Sequence, residues 1–224
     1  MRVRRTRMVG AALALAAAAL AVPACGGIAG TGVCSGATCL GCGGPTCNAV
    51  CGEGAACSTD CMGSQVCNVD CQQAGACLPS CTTAQTCNVD CHDAASCTPA
   101  CDQAGTCNVD CRNSGACTPT CAGDVCNVDC HDSTGCNVAC TAATACNFDC
   151  HAGGPCEITC GAGACIVDCQ EATSCNVDFT ESSSCDVNCH SAQSCTVKTG
   201  TGVVLVDCGD GKVCGPSSTC SCGV

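Results

Sequence analysis

The chain has 224 residues, 38 of them Cys, with a formal net charge of −12, no Trp or Tyr, and two Phe. So few large apolar side chains exclude an ordinary core of Leu, Ile and Phe, and such chains are held instead by disulfides or metals. The acidity excludes nucleic acid, whose phosphates an acidic chain repels.

In chain order, the N-terminus reads as an export signal. Arg2, Arg4, Arg5 and Arg7 make a positive start. Val9 to Val22 is an apolar run of signal-core length, too short to span a membrane comfortably. Val22 and Ala24 suit small-residue cleavage, which gives a signal peptide over 1–24. The tetrapeptide Val22-Pro23-Ala24-Cys25 also resembles a bacterial lipoprotein lipobox, with Pro23 where that pattern has a small residue. The resemblance implies lipidation at Cys25 and an outer-membrane lipoprotein whose membrane contact is the lipid anchor alone. Plain secretion to the cell surface is the alternative. Residues 25–46 form a tether and N-terminal cap, with Gly26 to Gly32 as a flexible leash. Once the signal leaves, only Arg112, Lys198 and Lys212 remain against 19 acidic residues, so cations are the expected partners. Export also places the thiols where they are oxidised.

From Cys47 to Cys208 the chain repeats itself. The unit Cys-x3-Cys-x5 recurs every ten residues, and "CNVDC" at Cys67, Cys87, Cys107 and Cys126 marks a longer period of twenty. A ten-residue coil has a perimeter of only about 33 Å, too little for corners and a core. The pattern therefore predicts an all-β fold, a parallel β-solenoid of ~20-residue coils. Each coil has two Cys-x3-Cys strands, stapled by interior disulfides. Side chains alternate along a strand. Cys and Val point inward, giving an apolar column of Val69, Val89, Val109, Val128, Phe148, Val167, Val187 and Val206. Small residues such as Ala74, Ser114, Ser133 and Gly153 suit tight corners. One turn is a residue shorter at Ala122 to Val125 and again at Gly161 to Ala164. Pro79, Pro99 and Pro119 fall mid-strand on the second face, which predicts an irregular or polyproline-like path there. Some eight coils make a rod of roughly 40 Å at ~4.8 Å per rung, followed by a C-terminal cap over 209–224.

In a flattened coil the last Cys of one strand faces the first Cys of the next across the interior. This pairs Cys71 with Cys77, Cys81 with Cys87, Cys91 with Cys97, Cys101 with Cys107 and Cys111 with Cys117. It continues through Cys121, Cys126, Cys130, Cys136, Cys140, Cys146, Cys150, Cys156, Cys160, Cys165, Cys169, Cys175, Cys189 and Cys195. Thr199 and Val204 replace two partners together, whereas Phe179 replaces Cys alone and strands Cys185. A register between equivalent positions of neighbouring coils pairs Cys165 with Cys185, but stacked strands hold Cβ atoms far apart for a disulfide. A metal-thiolate store is the alternative from another class. Its usual Cys-x-Cys and Cys-x2-Cys spacings occur only at Cys220–Cys222 and Cys39–Cys42. That lone Cys39-Leu40-Gly41-Cys42 has no strand–helix context for redox chemistry.

Outward positions stack into rows. Asn68, Asn88, Asn108, Asn127 and Asn147 suit a hydrogen-bonded ladder. Asp70, Asp90, Asp110, Asp129, Asp149 and Asp168 form an acidic row, either a solvated face or a weak site for Ca2+ or a similar hard cation. His92, His131, His151 and His190 share one phase. Of these, His131 and His151 stack as neighbours and, with Asp132, suit zinc or copper. No catalytic triad or phosphate loop is present, so no enzyme and no cofactor beyond Ca2+ is expected.

The Cys-stapled coil, with its regular Cys spacing and small corners from Cys47 to Cys208, resembles the disulfide β-solenoids of insect antifreeze proteins. That family meets ice with flat Thr-x-Thr arrays. Here the outward pair is mostly Asn and Asp, with scattered Thr98, Thr118 and Thr120, so ice binding is a further alternative only. The signal and tether resemble those of Cys-rich surface lipoproteins from high-GC bacteria. The reading is an exported, non-enzymatic repeat protein of the cell envelope, structural or adhesive. Its possible ligands are divalent cations or surface polymers.

Overall fold

Alternation decides the fold. In Val66–Asp70, Thr86–Asp90 and Thr106–Asp110 the Cys and the central Val are buried, while Asn and Asp stay half-exposed. Such a strand has one apolar and one polar side, and it satisfies its backbone by pairing in parallel with its own repeat twenty residues on. Cys67 lies beside Cys87, Asn68 beside Asn88, Val69 beside Val89 and Asp70 beside Asp90. The computed structural model describes residues 31–35, 38–39, 44–161, 163–209, 213–214 and 218–223. It is a parallel β-solenoid of about eight coils, with one sheet on each side of a thin interior. The expected signal over 1–24 and Cys25 lie outside the described residues.

The interior is thin, filled by one inward column from each sheet. The central column from Val69 through Phe148 to Val206 is at most 3% exposed, and the corner residues Ala74, Ala94, Ser114, Ser133, Ala172 and Ala192 are buried beside it. Ser133 departs from the Ala majority. Its hydroxyl is buried and has no hydrogen-bond partner. An unpaired buried hydroxyl costs about 1 kcal/mol or more, so Ser133→Ala is expected to raise the midpoint of thermal unfolding.

The second face carries the prolines. Pro79 and Pro99 are among the most deeply buried side chains. The strand breaks around Pro99 into Ser96–Cys97 and Ala100–Cys101, and around Pro119 into Ala116–Cys117 and Thr120–Cys121. Ala76–Ser80 runs through Pro79 unbroken. Flanking amides keep the stack: Thr98 N–H donates to Cys77 O and Thr118 N–H to Cys97 O, both at 2.8 Å.

Disulfides close the corners. Among the described residues they join Cys51–Cys57, Cys61–Cys67, Cys71–Cys77, Cys81–Cys87, Cys91–Cys97, Cys101–Cys107 and Cys111–Cys117. They continue with Cys121–Cys126, Cys130–Cys136, Cys140–Cys146, Cys160–Cys165, Cys169–Cys175 and Cys189–Cys195. All lie across the interior, and Cys165 pairs with Cys160 rather than with Cys185. The two short corners close as well; at the first, a methyl on Gly123 would sit 1.6 Å from Ala104 O, so only Gly fits.

Two expected partners depart from the pattern. Cys150 and Cys156 are free thiols. Beside Cys150 on the same inward side stands Phe148, where neighbouring coils have Val128 and Val167. The same coil carries Ile158 inward on the second face, where the neighbouring coils have Val138 and Val177, so the open corner lies in the coil with the bulkiest central pair; the ring of Phe148 is the candidate wedge, although Cys146 on its other side does close with Cys140. The mutual hydrogen bond of Cys150 and Cys156 and then burial push the Cys150 thiol well up from its usual pKa. Cys185, stranded by the buried Phe179, is the third free thiol among the described residues, and burial pushes it up to about 11.

The C-terminal end changes direction. Val213–Cys214 and Thr219–Gly223 pair antiparallel with the last strand of each sheet. Thr199 stands where a Cys is missing and grips this segment, accepting Ser218 N–H at 2.9 Å and donating to Ser218 O at 3.1 Å. Cys208–Cys222 ties the segment down.

Candidate functional site on the Asn–Asp face

Each first-face strand ends in a corner that fixes its outward side chains. Cys71 O accepts Ala74 N–H at 3.0 Å, and the same bond recurs from Cys91 to Ala94 and from Cys130 to Ser133. The third residue of each turn is left-handed, with φ between 53° and 62° at Gln73, Asp93, Asn113, Asp132, Ala152, Glu171 and Ser191. None is Gly, although this conformation costs a side chain roughly 1 kcal/mol or more.

The Asp before the corner Cys caps the turn. Asp90 Oδ1 accepts the His92 N–H at 3.0 Å, Asp129 that of His131 at 3.0 Å, Asp149 that of His151 at 2.9 Å, and Asp168 that of Gln170 at 2.9 Å. Asp70 and Asp110 do the same for Gln72 and Arg112. These are Asx turns, so the acidic row is first a row of turn caps. An amide serves equally well: Asn188 Oδ1 accepts the His190 N–H at 3.1 Å. Asp90→Ala is therefore expected to lower stability by about 1 kcal/mol, and Asp90→Asn to leave it unchanged, both read by thermal denaturation. An equal loss in both variants would assign the effect to charge.

Asn side chains form a continuous chain. Asn68 Nδ2 donates to Asn48 Oδ1 at 2.8 Å, then Asn88 to Asn68, Asn108 to Asn88, Asn127 to Asn108 and Asn147 to Asn127, all at 2.7 or 2.8 Å. The ladder stops where exposed Ile166 replaces Asn. Between the amide and carboxylate rows the side chain points inward and leaves bare backbone. The result is an open trough of about 750 Å³ that crosses the strands from Asn48 to Ile166.

The carboxylates are not equivalent. Arg112 donates through Nε and Nη2 to Asp110, and its Nε lies 3.5 Å from Asp129 Oδ2 on the next rung. Burial raises the Asp110 carboxyl, but the Arg112 side chain, its backbone N–H and its charge together outweigh burial and set it below the usual value. Asp129 is raised, chiefly by burial and with the like charges of Asp149 and Asp110, against the His131 N–H and Arg112. Asp90 Oδ2 takes the Gln72 side-chain amide at 2.7 Å.

The His row sits at the adjoining corner. His131 and His151 stack with ring centroids 5.0 Å apart and planes 16° from parallel. Their Nε2 atoms face different acids, Asp132 at 3.0 Å and Glu171 at 3.9 Å. A metal binds a His nitrogen in the ring plane, so near-parallel rings do not converge on one ion. Cys67, Cys81 and Cys87 lie close enough to share a metal, but they are a disulfide pair with a neighbouring bonded sulfur, not thiolates. On the second face Thr98 and Thr118 meet at 2.8 Å, an isolated pair and not a flat Thr array.

Fold and site together define a disulfide-stapled, parallel β-solenoid with one amide-and-carboxylate face. Comparison with protein-family models, curated proteins and solved structures gives no match for this chain.

Proposed function

We propose that the protein is an exported, non-enzymatic rod of the cell envelope with a structural or adhesive role, and that its Asn–Asp face is the surface that meets cations or surface polymers. The observation that carries this is the pairing of almost every described corner by a disulfide. Such a chain is suited to an oxidising compartment and holds its outward groups in fixed register. The reading is also supported by the sequence: a positive, then apolar start, and Cys25 in a lipobox-like context. A covalently closed, thin coil gives stiffness without a large core, and stiffness with a repeated polar face is what a surface spacer or adhesin uses.

Fractionation of cells expressing the full chain tests this. The expected result is recovery in the envelope fraction, accessible to added protease, with Cys25→Ser moving the protein to the soluble exported fraction if Cys25 carries lipid. Recovery in the cytoplasm with most thiols free, and zinc or copper bound, would replace the reading by a thiolate store. Calcium at the Asp row is tested by thermal unfolding with and without millimolar Ca2+. A rise in the midpoint supports it, and no shift removes it.

A further inference from the structure

One corner of the rod is built differently from its neighbours. Cys150 and Cys156 stand there as thiols, 0% and 1% exposed. They are hydrogen-bonded to each other, and the Cys156 S–H donates to Gly154 O at 3.8 Å. The coils on either side hold closed bridges, Cys130–Cys136 and Cys169–Cys175. This corner therefore offers two sulfurs and no more. Two further departures meet here. The buried corner position is Ala or Ser at Ala74, Ala94, Ser114, Ser133, Ala172 and Ala192, but Gly153 in this coil. A methyl on Gly153 would lie 3.2 Å from Cys150 O, 3.3 Å from Cys130 O and 3.6 Å from Ser133 O, so the space a methyl fills in other coils is empty beside Cys150. Ser133 holds the same position one coil earlier. Its hydroxyl is, among the described residues, the one buried side-chain nitrogen or oxygen without a partner. Corner hydroxyls do reach sulfur across coils, as Ser182 Oγ lies 3.6 Å from Cys165 Sγ.

A thiolate pair selects soft ions. Zinc takes four ligands and calcium six or more oxygens, and this corner supplies neither set. A soft d10 ion such as Cu+ takes two thiolates in line. Two metal–sulfur bonds of ~2.3 Å laid end to end span about 4.6 Å, against ~2.05 Å for a disulfide. A corner held open is thus suited to a bridging ion, and the empty methyl space gives the sulfurs room to part. Binding displaces two protons, one from each thiol. The unit keeps one negative charge, for which the unpaired Ser133 hydroxyl is a free donor. The acidic exterior gathers cations at the surface. We infer that the Cys150–Cys156 corner is a two-coordinate binding site for one soft monovalent cation of the Cu+ class. One ion in one open corner of an oxidised rod is not a thiolate store, and the inference does not depend on where in the cell the rod resides.

The test is anaerobic titration of the oxidised full chain with Cu+ carried by a chromophoric chelator, with ascorbate as a reductant that spares disulfides. One Cu+ per chain is expected, with two protons released. Cys150→Ser and Cys156→Ser are each expected to lose at least about tenfold in affinity. Cys185→Ser, which removes the third free thiol among the described residues, is expected to lose nothing. Gly153→Ala keeps both thiols and restores the residue found at Ala74 and Ala172, so it is expected to melt as the parent does while binding several-fold more weakly. Uptake that survives loss of either thiol, uptake of several ions per chain, or Zn2+ bound as tightly as Cu+ would overturn the inference. So would an unchanged affinity in Gly153→Ala, or a purified parent in which alkylation and mass show Cys150 and Cys156 already joined.

Discussion

Reduction is expected to abolish the fold. A disulfide that closes a loop of about seven residues removes roughly 2.4 kcal/mol of chain entropy from the unfolded state. Among the described residues there are fourteen closures, all but one joining cysteines five or six residues apart. Even at half that value they exceed the ~5–15 kcal/mol by which an ordinary domain is stable. The apolar interior cannot replace them, since outside Phe148, Phe179 and Ile158 the core is Val, Ala, Pro and Cys. Far-UV circular dichroism should show the β signal of the oxidised chain disappear in a thiol reductant. A reduced and alkylated chain that keeps its β signal and melting midpoint would show that packing alone suffices.

Phe148→Val is expected to close the one open corner in the middle of the rod. Denaturation without reductant, followed by alkylation, should label Cys150, Cys156 and Cys185 among the described residues of the parent. In the variant only Cys185 should remain, because Val restores the width found at Val128 and Val167. Losing the ring removes about 2 kcal/mol of buried apolar surface, and the new bridge returns a similar amount. Stability of the oxidised rod should therefore change little, while the labelling changes from three sites to one. Continued labelling of Cys150 and Cys156 in the variant would show that the ring is not what holds them apart.

Much of this was legible in the sequence because one constraint repeats. The twenty-residue period, the inward Cys and Val, the small corners and the local pairing all follow from strand alternation plus short loops. The stranding of Cys185 by Phe179 was readable for the same reason. The failure at Cys150 and Cys156 was not. Phe148 satisfies the apolar pattern that the period demands, and only the width of the interior distinguishes it from Val. The left-handed corners were hidden as well. Gln73, Ala152 and Glu171 have no preference for that conformation, and closure of the short loop imposes it. The Asp row was seen as a surface, yet its bond to the N–H two residues on depends on that corner. The Asn ladder was predicted by stacking alone, since identical amides in register satisfy one another.

The bridges join neighbours along the chain, and this has a bearing on how the protein is made and how it varies. For eight cysteines there are on the order of a hundred pairings, and with many more the search would be hopeless if partners were distant. Here each thiol finds its mate within one corner, so oxidation can proceed in order along the chain, one corner at a time. Excision of residues 67–86 would bring Cys61 six positions from Cys87 and orphan no sulfur. Length is thus a quantity that can be changed by whole turns without rewriting the connectivity, as links are added to or taken from a chain.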